Sequence, residues 1–176
     1  DGLSTWWYDN GQKRKESRYT NDDKDGLETW WLKNGRKVSQ IHYKNGEKDL
    51  ETYWYKNGKK WWEQHYKNGK KEGLWTTWYA NGQKKQEWHY ENGKLDSASV
   101  WKPDGKPCPI TKIVDGSGIF VVWHENGKKK EESHWKNGKE EGLWTEWYQN
   151  GKKESEIHYK DGKLDGLWTS WLEDGK

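Results

Sequence analysis

The chain has 176 residues, of which 29% are hydrophobic and 35% are charged, with 17 tryptophans and no methionine. A low aliphatic content is typical of disorder, but disordered chains are poor in aromatic residues, so order here must come from buried aromatic side chains. The 32 basic and 29 acidic residues are interleaved along the chain, which argues against nucleic-acid binding. No apolar run reaches the roughly 20 residues that would insert into a membrane.

A motif of about 24 residues recurs from the first residue onward, and about seven and a half copies fit the chain. Several copies open on an acidic residue followed by Gly and Leu, as at residues 25–27, 72–74, 141–143 and 165–167. One tryptophan position is filled in every copy: Trp7, Trp31, Trp54, Trp78, Trp101, Trp123, Trp147 and Trp171. This periodicity indicates a repeat protein and not a mere bias of composition.

In chain order, residues 1–95 hold the first four hairpin units, and residues 96–118 form an irregular unit that contains proline and cysteine. Residues 119–176 return to hairpin units, the last of them truncated. We interpret the three segments as one continuous repeat domain. Neither end carries the polar cap that is usual in terminal repeats, so we expect further repeats beyond the ends.

Each unit carries two Asn-Gly or Asp-Gly pairs, such as Asn81-Gly82 and Asn92-Gly93. These pairs favour tight hairpin turns, because Asn and Gly tolerate a positive φ. The segments between them alternate polar and apolar residues over about seven positions, a usual strand length. The pattern therefore predicts an all-β fold, an elongated single-layer antiparallel meander of tandem β-hairpins.

The type of turn decides which side chains share a face of this sheet. If Gly82 closes a type I turn with a G1 bulge, Tyr79 pairs with Gln83 and the apolar residues gather on one side. The resulting packing face is predicted to hold Leu74, Thr76, Trp78, Gln86, Trp88 and Tyr90. The opposite, mixed face is predicted to hold Trp75, Tyr79, Lys85, Glu87 and His89.

An open sheet would expose the packing face over a larger area than soluble monomers usually tolerate. We therefore expect this face either to pack against a second copy, in a homo-oligomer or filament, or to close by curling.

The unit G-L-W-T-x-W-Y-x-N-G-x-K-x-x-E-x-H-Y-K-N-G-K-x-D resembles the bacterial variant of the MORN repeat, over nearly the whole chain. The resemblance implies stacked β-hairpins in one elongated sheet. It also implies protein binding, scaffolding or neutralisation of a partner toxin, as in proteins labelled toxin-antitoxin or immunity components. It brings no catalytic residues. The chain departs from the pattern at Asp96-Ser97-Ala98, which replaces the usual Gly-Leu.

Two polar columns recur on the predicted mixed face. They consist of His42, His65, His89, His134 and His158, and of Glu63, Glu87, Glu132 and Glu156. Equivalent residues lie two strands apart, about 9.5 Å, whereas a Zn²⁺ ion needs its ligand atoms about 2 Å away. We therefore expect no metal and no cofactor. A repeating sheet also lacks one cleft with two differently tuned acids, so we expect no enzyme activity, and charge pairing across strands is the simpler interpretation.

Five aromatic residues of the mixed face are candidates for partner binding: Trp75, Tyr79, Trp144, Tyr148 and Trp168. Burial does not obviously require them there, and flat exposed rings stack against a protein partner or a sugar. The alternative is that they pack between hairpins, covered by lysine stems.

The irregular unit supplies three further candidates, Pro103, Pro107 and Cys108, next to Pro109. Proline cannot donate to a strand ladder, so regular pairing must be interrupted here. The segment is either a projecting loop that carries specificity or a bend that joins two stacks of hairpins. Local sequence places no activating group beside Cys108, which we expect to be an inert thiol.

Two functions of different classes follow from these patterns. The first is a non-catalytic protein-binding scaffold, which includes neutralisation of a partner and structural assembly. The second is a secreted or cell-surface protein that binds glycan through exposed Trp and Tyr. The sequence leaves the compartment open, with the cell envelope or extracellular space slightly favoured over the cytoplasm.

Overall fold

The computed structural model describes residues 1–108 and 110–174, so Pro109 lies outside the described residues. The chain forms one antiparallel sheet of 16 strands, in which the order of strands follows the order in the chain and the short β13 pairs only with β12. The predicted all-β meander of hairpins is confirmed. Within the described residues, no helix has the length and apolar character needed to cross a membrane.

The strands of this sheet are mostly six to nine residues long. Their bounds are β1 Gly2–Trp7, β2 Lys13–Thr20, β3 Asp23–Trp31, β4 Lys37–Lys44, β5 Glu47–Trp54, β6 Lys60–Lys67, β7 Lys70–Trp78, β8 Lys84–Glu91, β9 Lys94–Val100, β10 Lys112–Val114, β11 Ser117–Trp123, β12 Lys129–Lys136, β13 Lys139–Glu140, β14 Gly142–Trp147, β15 Lys153–Lys160 and β16 Lys163–Ser170.

Two kinds of turn close the hairpins, one at each end of the strands. At one end both turn residues have positive φ, as in Asn92 (51°) and Gly93 (81°), which defines a two-residue type I′ turn. At the other end only the glycine has positive φ. There the Tyr79 N–H donates to the Gln83 carbonyl at 2.8 Å, and the Gly82 N–H donates to the Tyr79 carbonyl at 2.8 Å. The predicted G1-bulge turn at Gly82 is therefore confirmed.

The predicted division of side chains between the two faces is wrong, because each regular hairpin contains a second bulge. In β7–β8, Trp78 pairs with Lys84, as the turn requires. The next pair is Thr77 with Gln86, so Lys85 has no partner on β7. One unpaired residue reverses the facing of every residue beyond it. The same bulge position is occupied in the other regular hairpins by Arg14, Val38, Trp61, Lys130 and Glu154.

The corrected register defines two faces, named here the inner face and the outer face. On β7 and β8 the inner face holds Trp75, Thr77, Gln86, Trp88 and Tyr90. The outer face holds Leu74, Thr76, Trp78, Lys84, Glu87 and His89. The strictly repeated tryptophan thus lies on the outer face, and the less regular aromatic residues lie on the inner one.

The sheet curls around the middle of its inner face. Trp88 on β8 and Phe120 on β11 approach to 5.4 Å between ring centroids, although two strands separate them in the sheet. The buried cluster at this point consists of Trp75, Tyr90, Leu95, Ala98, Val100, Cys108, Ile113, Phe120 and Val122. The sequence leaves two ways of covering an apolar face, packing against a second copy or curling. In the middle of the sheet the inner face is covered by curling. On β1 and β16 the inner face stays open, with Trp6 44% and Trp168 69% exposed.

The irregular unit keeps its turn but loses most of one strand. The Lys102 N–H donates to the Lys106 carbonyl at 2.8 Å, as in the regular units, and Trp101 forms a bridge with Pro107. After this bridge β10 has only three residues, because proline cannot continue the ladder. Of the two alternatives for this segment, the described residues therefore favour the bend over the projecting loop. The short strand lets β9 and β11 contact each other, and the unit forms the bend around which the sheet curls.

Candidate functional site

The structure separates the five aromatic candidates by exposure. Trp75 and Tyr79 are buried, at 8% and 3%, so the expectation that they are available to a partner is wrong. The second bulge turns Trp75 into the core, and Tyr79 is covered by the next turn. Trp144 and Tyr148 are half-buried. Trp168, at 69% exposure, is open to solvent as expected.

Tyr79 and Tyr148 join neighbouring repeats at the G1-bulge turns. The Tyr79 hydroxyl donates to the Trp101 carbonyl at 3.0 Å, and the Tyr148 hydroxyl donates to the Trp171 carbonyl at 2.7 Å. Equivalent bonds join Tyr8 to Trp31, Tyr55 to Trp78, and His124 to Trp147. This row of tyrosines is therefore structural, and it positions each hairpin relative to the next.

Replacing Tyr79 with phenylalanine should lower the free energy of unfolding by about 1 kcal/mol, because it removes one buried hydrogen bond and leaves the Trp101 carbonyl without this donor. The measurement is urea unfolding followed by tryptophan fluorescence. Tyr19→Phe is the matched control, because the Tyr19 hydroxyl makes no hydrogen bond among the described residues. Equal losses in the two variants would contradict the structural role of Tyr79.

The glutamate and histidine columns lie on the outer face, where every glutamate of the column is paired with a nearby lysine. Lys84 pairs with Glu87 at 2.7 Å. The same pairing joins Lys13 to Glu16, Lys60 to Glu63, Lys129 to Glu132 and Lys153 to Glu156. His89 lies 3.2 Å from the Asp96 carboxylate. Among the described residues, no three His, Cys, Asp or Glu side chains are grouped as a metal site would need.

Lysines also cover the tryptophans of the outer face. The Lys84 Nζ lies 5.0 Å from the ring centroid of Trp101, and the Lys129 Nζ lies 5.0 Å from that of Trp147. Beside this ladder runs a row of leucines that belong to the Gly-Leu steps of the repeat. Four of them are exposed by 45% to 85%: Leu3, Leu27, Leu74 and Leu167. The outer face thus offers exposed leucines, with its tryptophan rings shielded by ammonium groups.

The inner face of the second hairpin contains a compact ion cluster around Glu28. This carboxylate is 4% exposed and lies 2.7 Å from the Lys24 ammonium and 3.1 Å from that of Lys15. Burial alone would raise the pKa of Glu28, but hydrogen bonds from Lys24, Lys15, Ser17 and Trp30 outweigh burial and hold the pKa at about 2. The next hairpin repeats the pairing, with Lys48 bound to Glu51.

A cavity of about 350 Å³ lies where the inner face curls. Strands β7 to β9 line one side, and β11 to β14 line the other. Its charged residues are Lys71, Lys85, Lys130, Glu131 and Glu140. Its aromatic and apolar residues are Trp88, Tyr90, Trp135, Trp144, Leu95, Phe120 and Val122, and Gln86 adds an amide. This volume lies within the range of small-molecule sites, about 300–1,000 Å³.

The charged groups of the cavity lack close partners. Burial lowers the pKa of Lys71 and of Lys85, and the nearby Lys130 lowers that of Lys85 further. Glu131 is directly opposite Glu146 on the neighbouring strand. Burial, together with the Glu146 carboxylate, raises the pKa of Glu131 to about 7. The lysine ammonium groups and the Glu131 carboxylate are thus less well solvated in the cavity than they would be in water.

Five segments of the chain match the MORN repeat variant, at residues 1–21, 24–45, 71–92, 117–137 and 140–161. Together these segments cover more than half of the chain. The chain belongs to the MORN repeat variant family. Each MORN match corresponds to one hairpin closed by a G1-bulge turn, such as β3–β4 or β7–β8. No curated protein matches the chain.

The MORN pattern does not match residues 46–70 or 93–116. The first of these segments still folds as a regular hairpin, β5–β6, whereas the second contains the irregular unit. In that unit Pro107 is exposed, Pro103 is half-buried and Cys108 is buried. The Cys108 Sγ accepts a hydrogen bond from the Trp123 Nε1 at 3.1 Å. Burial raises the thiol's pKa, but hydrogen bonds from Trp123 and its other neighbours outweigh burial and lower it.

MORN repeats are modules that bind proteins or membranes, and this level of function applies to the chain. The cavity residues Lys71, Lys85 and Glu131 were missed as site residues by sequence reasoning. One signal was available. At the position that holds Glu28 and Glu51 in earlier hairpins, the MORN repeat at 71–92 has Trp75. Lys71 of that repeat therefore lacks the carboxylate partner found in those hairpins.

Proposed function

We propose that this MORN repeat protein is a non-catalytic scaffold that binds a protein partner along its outer face, either to neutralise that partner or to hold an assembly together. The observation that carries the proposal is the set of exposed leucines on the outer face, Leu3, Leu27, Leu74 and Leu167. The first three lie on the alternate strands β1, β3 and β7, with the half-buried Leu50 on β5 completing the row. Exposed apolar side chains in such a row are typical of protein interfaces.

The surroundings of this row resemble the rim of a protein interface. Leu27 pairs with His42, and Leu74 pairs with His89, so each apolar side chain has a polar neighbour. On β1, β3, β5 and β7 equivalent leucines lie two strands apart, about 9.5 Å, which lets one extended partner contact several repeats. Apolar contacts within a polar, solvent-accessible rim are the usual arrangement of interfaces.

The proposal is tested by affinity capture from the native source with the wild-type protein and the double variant Leu27→Glu/Leu74→Glu. We expect the wild type to retain at least one protein that the variant loses, because the new carboxylates would be desolvated at the interface. Both leucines are exposed, at 49% and 45%, so the variant should keep its fold and its β-sheet circular dichroism.

The matched control is Lys44→Glu/Lys67→Glu, which adds two carboxylates at exposed residues next to the type I′ turns. This control should retain the same protein as the wild type. An identical set of captured proteins for all three samples would contradict binding through the leucine row.

A second candidate, glycan binding at the cell surface, is favoured by two inner-face tryptophans that lack a cover. Trp61 and Trp168 are 49% and 69% exposed, and exposed indole rings stack on sugars. A blue shift or quenching of tryptophan fluorescence by neutral oligosaccharides, lost in Trp168→Ala, is expected for this candidate. No response across a panel of glycans would count against it.

A further inference from the structure

The inner lysine column distinguishes the central repeat from the two hairpins before it. Lys24 lies 2.7 Å from Glu28, and Lys48 is paired with Glu51. At the equivalent place the central repeat has Lys71 but Trp75 instead of the acid. The Lys71 ammonium lies 4.0 Å from the Trp75 ring centroid and 4.8 Å from that of Tyr90. Among the described residues, no carboxylate lies within 4 Å of it.

A second lysine without a carboxylate partner lines the same cavity. Lys85 occupies the bulge position of the central repeat, where no residue of β7 lies opposite it. Its Nζ lies 5.5 Å from the Tyr79 ring centroid, and no carboxylate of the described residues comes within ion-pair distance. Three lysines and two glutamates line the cavity, so its net charge favours an anion.

The walls of the cavity fit a ring. Trp88, Trp135 and Trp144 present indole groups from both sides of the curl, and aromatic rings stack offset or edge-on against other flat groups. Gln86 and Glu140 supply polar groups for hydroxyls of a ligand. A volume of about 350 Å³ accommodates one six-membered ring with a short substituent, at the lower end of known ligand sites.

We propose that this cavity binds a small organic anion, a six-membered ring that bears a carboxylate, with the carboxylate at the Lys71 ammonium and the ring against the tryptophans. The site belongs to the central repeat and the bend beyond it, and it is independent of the outer-face partner. Such a ligand would supply the carboxylate that Trp75 displaced, in a place where a charge-assisted hydrogen bond is stronger than in water.

The test is isothermal titration calorimetry, with tryptophan fluorescence as a second readout, on the whole chain. Two probe pairs distinguish the kind of ring: benzoate with benzyl alcohol, and glucuronate with glucose. We expect benzoate, glucuronate or both to bind, and the neutral member of the same pair to bind at least tenfold more weakly. The carboxylate that binds more tightly identifies the ligand as an aromatic acid or an acidic sugar.

Lys71→Met should weaken that binding at least tenfold, or about 1.4 kcal/mol. Lys85→Met should weaken it less, because the Lys85 ammonium lies by Tyr79, toward the other end of the paired strands. Methionine keeps most of the apolar stem of lysine, so the packing of the cavity is retained. Lys70→Met, which removes an exposed ammonium next in sequence, should leave the affinity unchanged. If Lys71→Met fails to fold, the salt dependence of wild-type binding decides the question, because binding to an ammonium weakens with ionic strength.

Three results would overturn the proposal. They are no binding of either carboxylate at ten-millimolar concentration, equal binding of a carboxylate and its neutral counterpart, and equal affinities of the Lys70→Met and Lys71→Met variants.

Discussion

Replacing Gly118 with alanine should destabilise the protein by more than about 3 kcal/mol, because strained backbone and overpacking each cost about 1–3 kcal/mol. Gly118 has a φ of +142°, a conformation that L-residues rarely adopt. An added Cβ would lie 1.8 Å from the carbonyl oxygen of Lys112, which belongs to the paired strand β10. A backbone atom cannot move aside as a flexible side chain can. The effect is measured as a fall in the urea midpoint.

Gly142→Ala is the matched control for this prediction. Gly142 also has a positive φ, +84°, but nothing lies within 4 Å of an added Cβ. Its replacement should therefore cost only the backbone strain, about 1–3 kcal/mol. If Gly118→Ala lowered the free energy of unfolding no more than Gly142→Ala does, β10 would not be held tightly against β11. The bend would then not be a rigid part of the core.

Replacing Glu131 with glutamine should stabilise the protein at pH 8 by about 3 kcal/mol and leave its stability unchanged at pH 4. The pKa of Glu131 is raised from 4.5 to about 7 in the folded chain, by burial and by the Glu146 carboxylate, against the opposing influence of Lys130 and Lys85. The folded chain therefore holds this proton more tightly than the unfolded chain. Stability falls as the pH rises from about 4.5 to about 7, and the whole penalty is present above that range.

The measurement is urea unfolding of wild type and variant from pH 4 to pH 8. Glu132→Gln is the control, because Glu132 lies on the outer face and is paired with Lys129 at 2.6 Å. Loss of such a partly exposed pair should cost no more than about 1 kcal/mol at pH 8, and it should not stabilise. A wild-type curve that is flat between pH 5 and pH 7, with no gain in Glu131→Gln at pH 8, would contradict the raised pKa.

The fold could be predicted from the sequence because its determinants are local and repeated. Asn81-Gly82 and Asn92-Gly93 specify two different turns within one unit, and both occur where the sequence places them. The recurrence of Trp78 and its equivalents fixes the length of each hairpin. The strand order then follows from the chain, since consecutive antiparallel strands joined by tight turns have no other place to pair.

The faces could not be predicted, because nothing in the composition of the bulge position distinguishes it. Lys85 looks like any strand residue, yet its missing partner reverses the facing of Trp75. The sequence pattern favours the register that gathers the most apolar residues on one side, whereas the actual inner face also buries ionic groups such as Glu28. The cavity depends in addition on the curl at β10, which brings together residues that are far apart in sequence, such as Lys71 and Trp144.

The unpaired residue of each hairpin has a consequence for how such arrays diversify. It has no residue opposite it within its own hairpin, so its side chain can change without disturbing the frame of the repeat. The successive hairpins place there Arg14, Val38, Trp61, Lys85, Lys130 and Glu154. The same position of the repeat thus holds cationic, aliphatic, aromatic and anionic side chains in different hairpins. A uniform scaffold can in this way acquire a different inner chemistry at each step along its length.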